Sequence, residues 1–205
     1  MTGIAPLSRP PVEVGPGNIT RRCFSAMVLA VAVTAAAPIN PARAQSAAPS
    51  LVDFDWTDSA RSRTVPARLH WPTNITPGSR VPLIVFSHGM GGSRRGYTYL
   101  GRYWAARGIA SLHVQHAGSD SSLWAGNPLG VVDRLQRAAH ESEALARAWD
   151  MRFALDRVLS SPYGAQIDRR RIVAAGHSSG ANTALLAVGA RVMREGRWIE
   201  ARDPR

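Results

Sequence analysis

The sequence contains no lysine, so all 25 of its basic residues are arginine, set against 14 acidic residues for a formal charge of +11. A nucleic-acid surface clusters its cations so that they release counterions from phosphates. Here the arginines are interleaved with acids, as in RAAHESEALARAWDMRFALDR, which reads as a solvated helix face with i,i+4 ion pairs. No recognition module accompanies them, so nucleic acid is not an expected partner, and the exclusive use of arginine fits a nucleotide-composition bias. Cysteine is also scarce. The single Cys23 excludes a disulfide framework. The longest apolar run, Phe24 to Ala37, is shorter than the ~20 residues a membrane span requires. Cys23 precedes that run instead of following it, which does not fit a lipid anchor. What remains is ordinary globular material, 45% hydrophobic and 19% charged over 205 residues, enough for one domain with a sizeable core.

The N-terminal segment has the features of an address. Arg21 and Arg22 stand ahead of the apolar run, and Ala42-Arg43-Ala44 supplies small residues at a cleavage position. This is the pattern of a twin-arginine export signal. Residues 1–44 are therefore expected to be a leader and signal cleaved after Ala44, 45–50 a linker, and 51–205 the domain. The expected location is periplasmic or secreted, with the export machinery as a partner and no stable membrane span. Cleavage removes Cys23, leaving no cysteine nucleophile.

Within the domain, VPARLHW (65–71) alternates as a strand does, and VPLIVFS (81–87) is a continuous apolar run suited to a strand buried on both faces. A helix is expected over about 97–107, a strand over 108–114, a long functional or mobile loop over 115–130, and one helix from Val131 to about Ser160. RRIVAAGH reads as a fourth strand, and the segment after it as a helix closed by Gly196. Strands alternating with helices predict an α/β domain with a largely parallel sheet flanked by helices.

Two glycine-rich turns carry the chemistry. Gly176-His177-Ser178-Ser179-Gly180 lies between an apolar strand and an apolar helix, where G-x-S-x-G forces a tight turn that presents its serine at the apex. The helix N-terminus below it favours developing negative charge. Upstream, SHGMGGSRRG follows another buried strand. Acyl transfer needs two amide donors on the oxyanion, and these are read as the N–H groups of Met90 and Ser179, with Ser178 as nucleophile. A phosphate-binding loop is the competing reading. It fails because the Walker pattern requires a lysine, and G-x-G-x-x-G would need glycine where Arg94 stands.

VPLIVFSHGMGGSRRGY, HVQHAGSD and DRRRIVAAGHSSGANT, in that order, resemble the α/β-hydrolase superfamily, and within it dienelactone-hydrolase-like and platelet-activating-factor-acetylhydrolase-like serine esterases. The resemblance implies an α/β-hydrolase fold, a small-molecule or lipid ester substrate, Ser178 as nucleophile with Met90 and Ser179 as oxyanion donors, and no cofactor. True dienelactone hydrolases use cysteine at the nucleophile position; the serine shifts the likeness toward general esterases.

That superfamily orders its triad as serine, acid, histidine. All six histidines, at 70, 88, 113, 116, 140 and 177, precede Ser178. His88 is assigned to the oxyanion loop, His177 to the turn, His70 to a strand and His140 to the long helix. His113 and His116 form H-x-x-H without a third metal ligand. Of the acids after Ser178, Glu195 and Glu200 read as solvated helix-end charges and Asp203 as part of a turn. The triad acid and histidine are thus expected beyond residue 205, in a fold truncated after the nucleophile helix. The alternative is a non-catalytic protein of the same fold that binds an acyl ligand or partner.

Overall fold

The computed structural model describes residues 48–194 and 197–203; the expected export signal, Glu195 and the stop at Gly196 lie outside them. Strand alternation sets the layering. On β2 (Arg63–Trp71), Val65, Ala67, Leu69 and Trp71 point one way and join Met151, Ala154, Leu155 and Val158 of α3 (Glu141–Leu159) in one core. His70 points the other way, against Gly101 of α1 (Thr98–Ala105). Period-2 alternation thus places helices on both faces of the sheet.

The sheet has the order β1-β2-β4-β3-β5, with β1 at Ser50–Asp58, β3 at Val81–Ser87, β4 at Ala110–Val114 and β5 at Ile167–Gly176. It is mixed. β4, β3 and β5 form its parallel part, with β4 and β3 buried and β5 largely open along its outer edge, while β1 and β2 make an antiparallel hairpin and β2 meets β4 antiparallel. From β3 the chain crosses to β4 on one side, then returns past β3 to β5 on the other. That reversal brings Ser87 at the end of β3 opposite Gly176 at the end of β5. In open α/β sheets such a switch point leaves a crevice at the carboxyl ends of the strands.

Three local expectations are corrected. The helix over 131–160 is two helices, α2 (Val131–Ala138) and α3, and His140 lies between them as the N-cap of α3, its Nδ1 accepting the Ser142 amide at 3.3 Å. A side chain that bonds its own backbone competes with helix continuation. The last helix, α4 (Ser179–Ala187), ends early because Gly189 adopts φ +101°, a left-handed conformation that stops helices. A hairpin of β6 (Val192–Arg194) and β7 (Arg197–Ile199) follows where helix was expected. β1 begins at Ser50, the last residue of the expected linker, and its DFDWTD alternates acids with aromatics as a strand does. Among the described residues the outer edge of β5 has no strand partner, and no helix is long and apolar enough to cross a membrane.

Candidate active site

Ser178 has φ 53° and ψ −123°, between the end of β5 and the start of α4. This combination is sparsely populated for a residue with a side chain and costs about 1–3 kcal/mol. The flanking glycines show what holds it there. A Cβ on Gly176 would come within 2.8 Å of the Ala181 amide nitrogen, and one on Gly180 within 2.6 Å of the His88 carbonyl. The turn is closed by the His177 amide donating to the Ser87 carbonyl at 3.2 Å, and by the Gly180 amide donating to the His177 carbonyl at 2.8 Å. Strand, turn and helix are thus pressed onto the end of β3. Ser178 remains exposed to solvent.

The loop after β3 runs beside this turn: a Cβ on Gly89 would meet Cβ of Ser178 at 3.4 Å. Its course is fixed from several directions. The Gly91 amide donates to the Ser119 carbonyl at 2.9 Å, and Trp124 Nε1 donates to the Gly91 carbonyl at 3.0 Å. Gly91 has φ +73°, and its missing side chain leaves room for the Trp124 indole. The long 115–130 segment therefore folds as two short 3₁₀ turns, Ser121–Trp124 and Pro128–Gly130, the first of them against the loop after β3. Neither the Met90 nor the Ser179 amide donates to a backbone carbonyl among the loop and cap bonds of the described residues. Both residues line one cavity of about 220 Å³, between α4 and the α2–α3 junction. The Ser179 hydroxyl is buried without a hydrogen-bond partner.

No histidine among the described residues is hydrogen-bonded to Ser178. His177 is exposed, and its Nδ1 is paired with the Tyr97 hydroxyl at 2.7 Å. His88 is buried at the start of the loop after β3, where its Nε2 accepts the His116 amide at 3.2 Å. His113 Nε2 pairs with Ser111 Oγ at 3.1 Å. His116 Nε2 lies 2.9 Å from Ser87 Oγ, and its Nδ1 lies 3.0 Å from Asp150 Oδ2. Burial drives His116 well below its ordinary value of 6.5, so the ring is neutral. An ionised Asp150 can only accept, so Nδ1 carries the proton and Nε2 accepts from Ser87. This serine–histidine–aspartate chain has the connectivity of a catalytic triad, yet all three side chains are fully buried. Its chemistry is that of a buried strut: Asp150 also receives Arg63 Nε at 3.0 Å and forms an ion pair with Arg61 at 2.9 Å.

Sequence reasoning missed this network and read its helix as a solvated face. That reading holds for the exposed Asp133–Arg137 pair on α2. It is wrong for Arg147 and Asp150, which are 2% and 0% exposed. The available signal was phase: Arg147 falls in register with Met151, Ala154 and Val158, so it belongs to the buried stripe of α3. Three of the six tryptophans, Trp124, Trp149 and Trp198, are exposed and stand outside the core. The described residues hold no group of three or more His, Cys, Asp or Glu side chains arranged for a metal ion.

Residues 59–129 match the family model of platelet-activating factor acetylhydrolase, isoform II, a stretch that runs from the β1–β2 turn to the loop after β4 and stops short of Ser178. In fold the chain is similar to a ferulic acid esterase from Streptomyces cinnamoneus, at 23% identity and a TM-score of 0.50 over 68% of this chain and 56% of that one. It is similar also to a dienelactone hydrolase-like promiscuous phosphotriesterase from metagenomic libraries, at 19% identity and a TM-score of 0.51 over 67% of this chain and 53% of that one. An acylaminoacyl peptidase of Pyrococcus horikoshii matches at 22% identity and a TM-score of 0.50 over 68% of this chain and 21% of its own. The chain spans about half the length of the esterase and of the phosphotriesterase. With its mixed sheet, flanking helices and strand–turn–helix at Ser178, this chain has the α/β-hydrolase fold.

Proposed function

We propose that this chain carries the nucleophile and oxyanion hole of a serine hydrolase that cleaves carboxylic esters through an acyl-enzyme. The observation that carries the reading is the backbone of Ser178, held in a costly conformation at an exposed apex directly beside the loop that bears Met90. Backbone strain of this kind clusters at active sites and ligand clamps. In the reaction, Ser178 Oγ attacks the ester carbonyl while the amides of Met90 and Ser179 receive the oxyanion. The base that takes the serine proton, and the acid that orients it, come from outside the described residues. The match to an acetylhydrolase family model and the likeness in fold to an esterase support an ester, from a small molecule or a lipid, as the substrate. The reading requires no cofactor.

In the protein as its gene encodes it, a fluorophosphonate probe should label Ser178, and Ser178→Ala should abolish the labelling. Equal labelling of the two proteins would remove the assignment.

We further propose that the protein is exported by the twin-arginine route and acts in the periplasm or outside the cell. This rests on residues 20–44 alone. The mature protein recovered from cells should begin at Gln45, and an intact cytoplasmic N-terminus would refute it.

A further inference from the structure

Arg147 projects from α3 into the interior, where it is 2% exposed. Its Nε donates to Thr183 Oγ1 at 3.0 Å and its Nη1 to Ser119 Oγ at 2.9 Å. Its Nη2 donates to Ser87 Oγ at 3.1 Å and to the carbonyl of His88. The four acceptors belong to four segments: the helix that follows Ser178, the loop after β4, the end of β3, and the loop that carries Met90. All are neutral. Arg147 forms no ion pair among the described residues: Asp150 is engaged by Arg61, Arg63 and His116, and Glu143 by Arg63, with Glu143 reaching Arg147 only through the Ser119 hydroxyl. A buried cation without a counter-ion in contact is expensive to maintain. Burial lowers Arg147 only to about 10, so it stays charged near neutrality. The same cavity that Met90 and Ser179 line has Arg147 in its wall.

We infer that Arg147 is a positioning residue for acyl transfer: it locks the Met90 loop and the Ser178 helix into one geometry and sets a positive charge with no counter-ion in contact in the wall of the cavity that Met90 and Ser179 line. The inference rests on the serine-hydrolase reading. In the first step the Ser178 Oγ–carbon bond forms, the carbonyl π pair moves onto oxygen, and the serine proton passes to the base. Collapse restores the carbonyl and expels the alcohol, which takes that proton. Arg147 neither gives nor takes a proton. Its fork fixes where the two amides sit, and its field favours the state with negative charge on oxygen, which is absent from the substrate. Lysine cannot replace it fully, because a point charge cannot hold four acceptors on four segments at once.

The test compares Arg147→Met, Arg147→Lys and Thr183→Val in the full-length protein with a p-nitrophenyl ester. Arg147→Met should lower kcat about 100-fold with KM changed by less than about twofold, and Arg147→Lys should recover about tenfold of that loss. Amide hydrogen exchange supplies a readout that needs no turnover. In Arg147→Met, residues 89–92 should exchange at least about tenfold faster while β3 and β4 keep their protection. Unchanged kcat, or exchange that rises uniformly through the sheet, would overturn the inference. If the wild type is not labelled at Ser178, the hydrolase reading fails, and the exchange result still decides whether Arg147 holds the loop. If Arg147→Met does not fold, Thr183→Val removes the tether to α4 together with the bond that Thr183 Oγ1 donates to the Ser179 carbonyl one turn earlier. It should then lower kcat by about fivefold, a loss within the range for one hydrogen bond, and an unchanged kcat would overturn the inference.

Discussion

Gly180, in the first turn of α4, rests on the end of β3 at Ser87, so that a Cβ at position 180 would overlap the Ser87 carbonyl and stand 2.6 Å from that of His88. The obstructing atoms are backbone, which cannot swing aside as a flexible side chain can. Gly180→Ala should therefore destabilise the protein by about 2–3 kcal/mol, the cost of overpacking a site that cannot relax. Urea unfolding measures this, and a loss below about 0.5 kcal/mol would mean that helix and strand separate easily.

The strain at Ser178 yields a prediction of opposite sign. Glycine adopts positive φ without a Cβ clash, so Ser178→Gly should raise the free energy of unfolding by about 1 kcal/mol. It should also abolish fluorophosphonate labelling. A variant that loses labelling and gains no stability would show that the turn is not strained.

Histidine burial sets the acid limb of stability. His70 and His113 pack with their ring centroids 4.6 Å apart and their planes tilted by 47°, and burial lowers them to about 4 and about 3. His88 is lowered to about 4 by the same cause. In the unfolded chain these rings protonate near 6.5. Between pH 6.5 and about 4 the unfolded state binds more protons, so stability is full above 6.5 and falls as pH drops. Asp150 acts in the opposite sense, because burial raises it to about 6 and the folded state then binds the extra proton as pH falls from 6 to 3.8. One carboxyl does not offset the several histidines. Unfolding free energy should accordingly decline between pH 7 and 4.5, and His70→Leu, which also removes two ring nitrogens without partners, should lessen that decline by about 2 kcal/mol. Parallel pH curves for the two proteins would contradict this.

Period and glycine placement were enough to read β2, β3, β4 and the strand before Ser178, because a buried strand must show either alternation or a continuous apolar run. The same patterns located the G-x-S-x-G turn and the loop containing Met90. They failed at His140 and Gly189, where a local cap and a left-handed glycine cut helices that hydrophobic spacing alone extends. They failed also at Arg147 and Asp150. A charged residue on a helix reads as solvated unless its partners are known, and these partners lie 28 to 89 positions away in the chain.

The sequence by itself therefore determined which segments are strands and where the strand-to-helix turn and glycine loop fall, since both depend on short-range sterics. Only the tertiary structure decided that Ser87, His116 and Asp150 form a buried strut, that Trp124 packs on Gly91, and that one guanidinium joins the Met90 loop to the Ser178 helix. Those relations depend on strand order and on which faces meet in space, and neither has a period that a linear sequence displays.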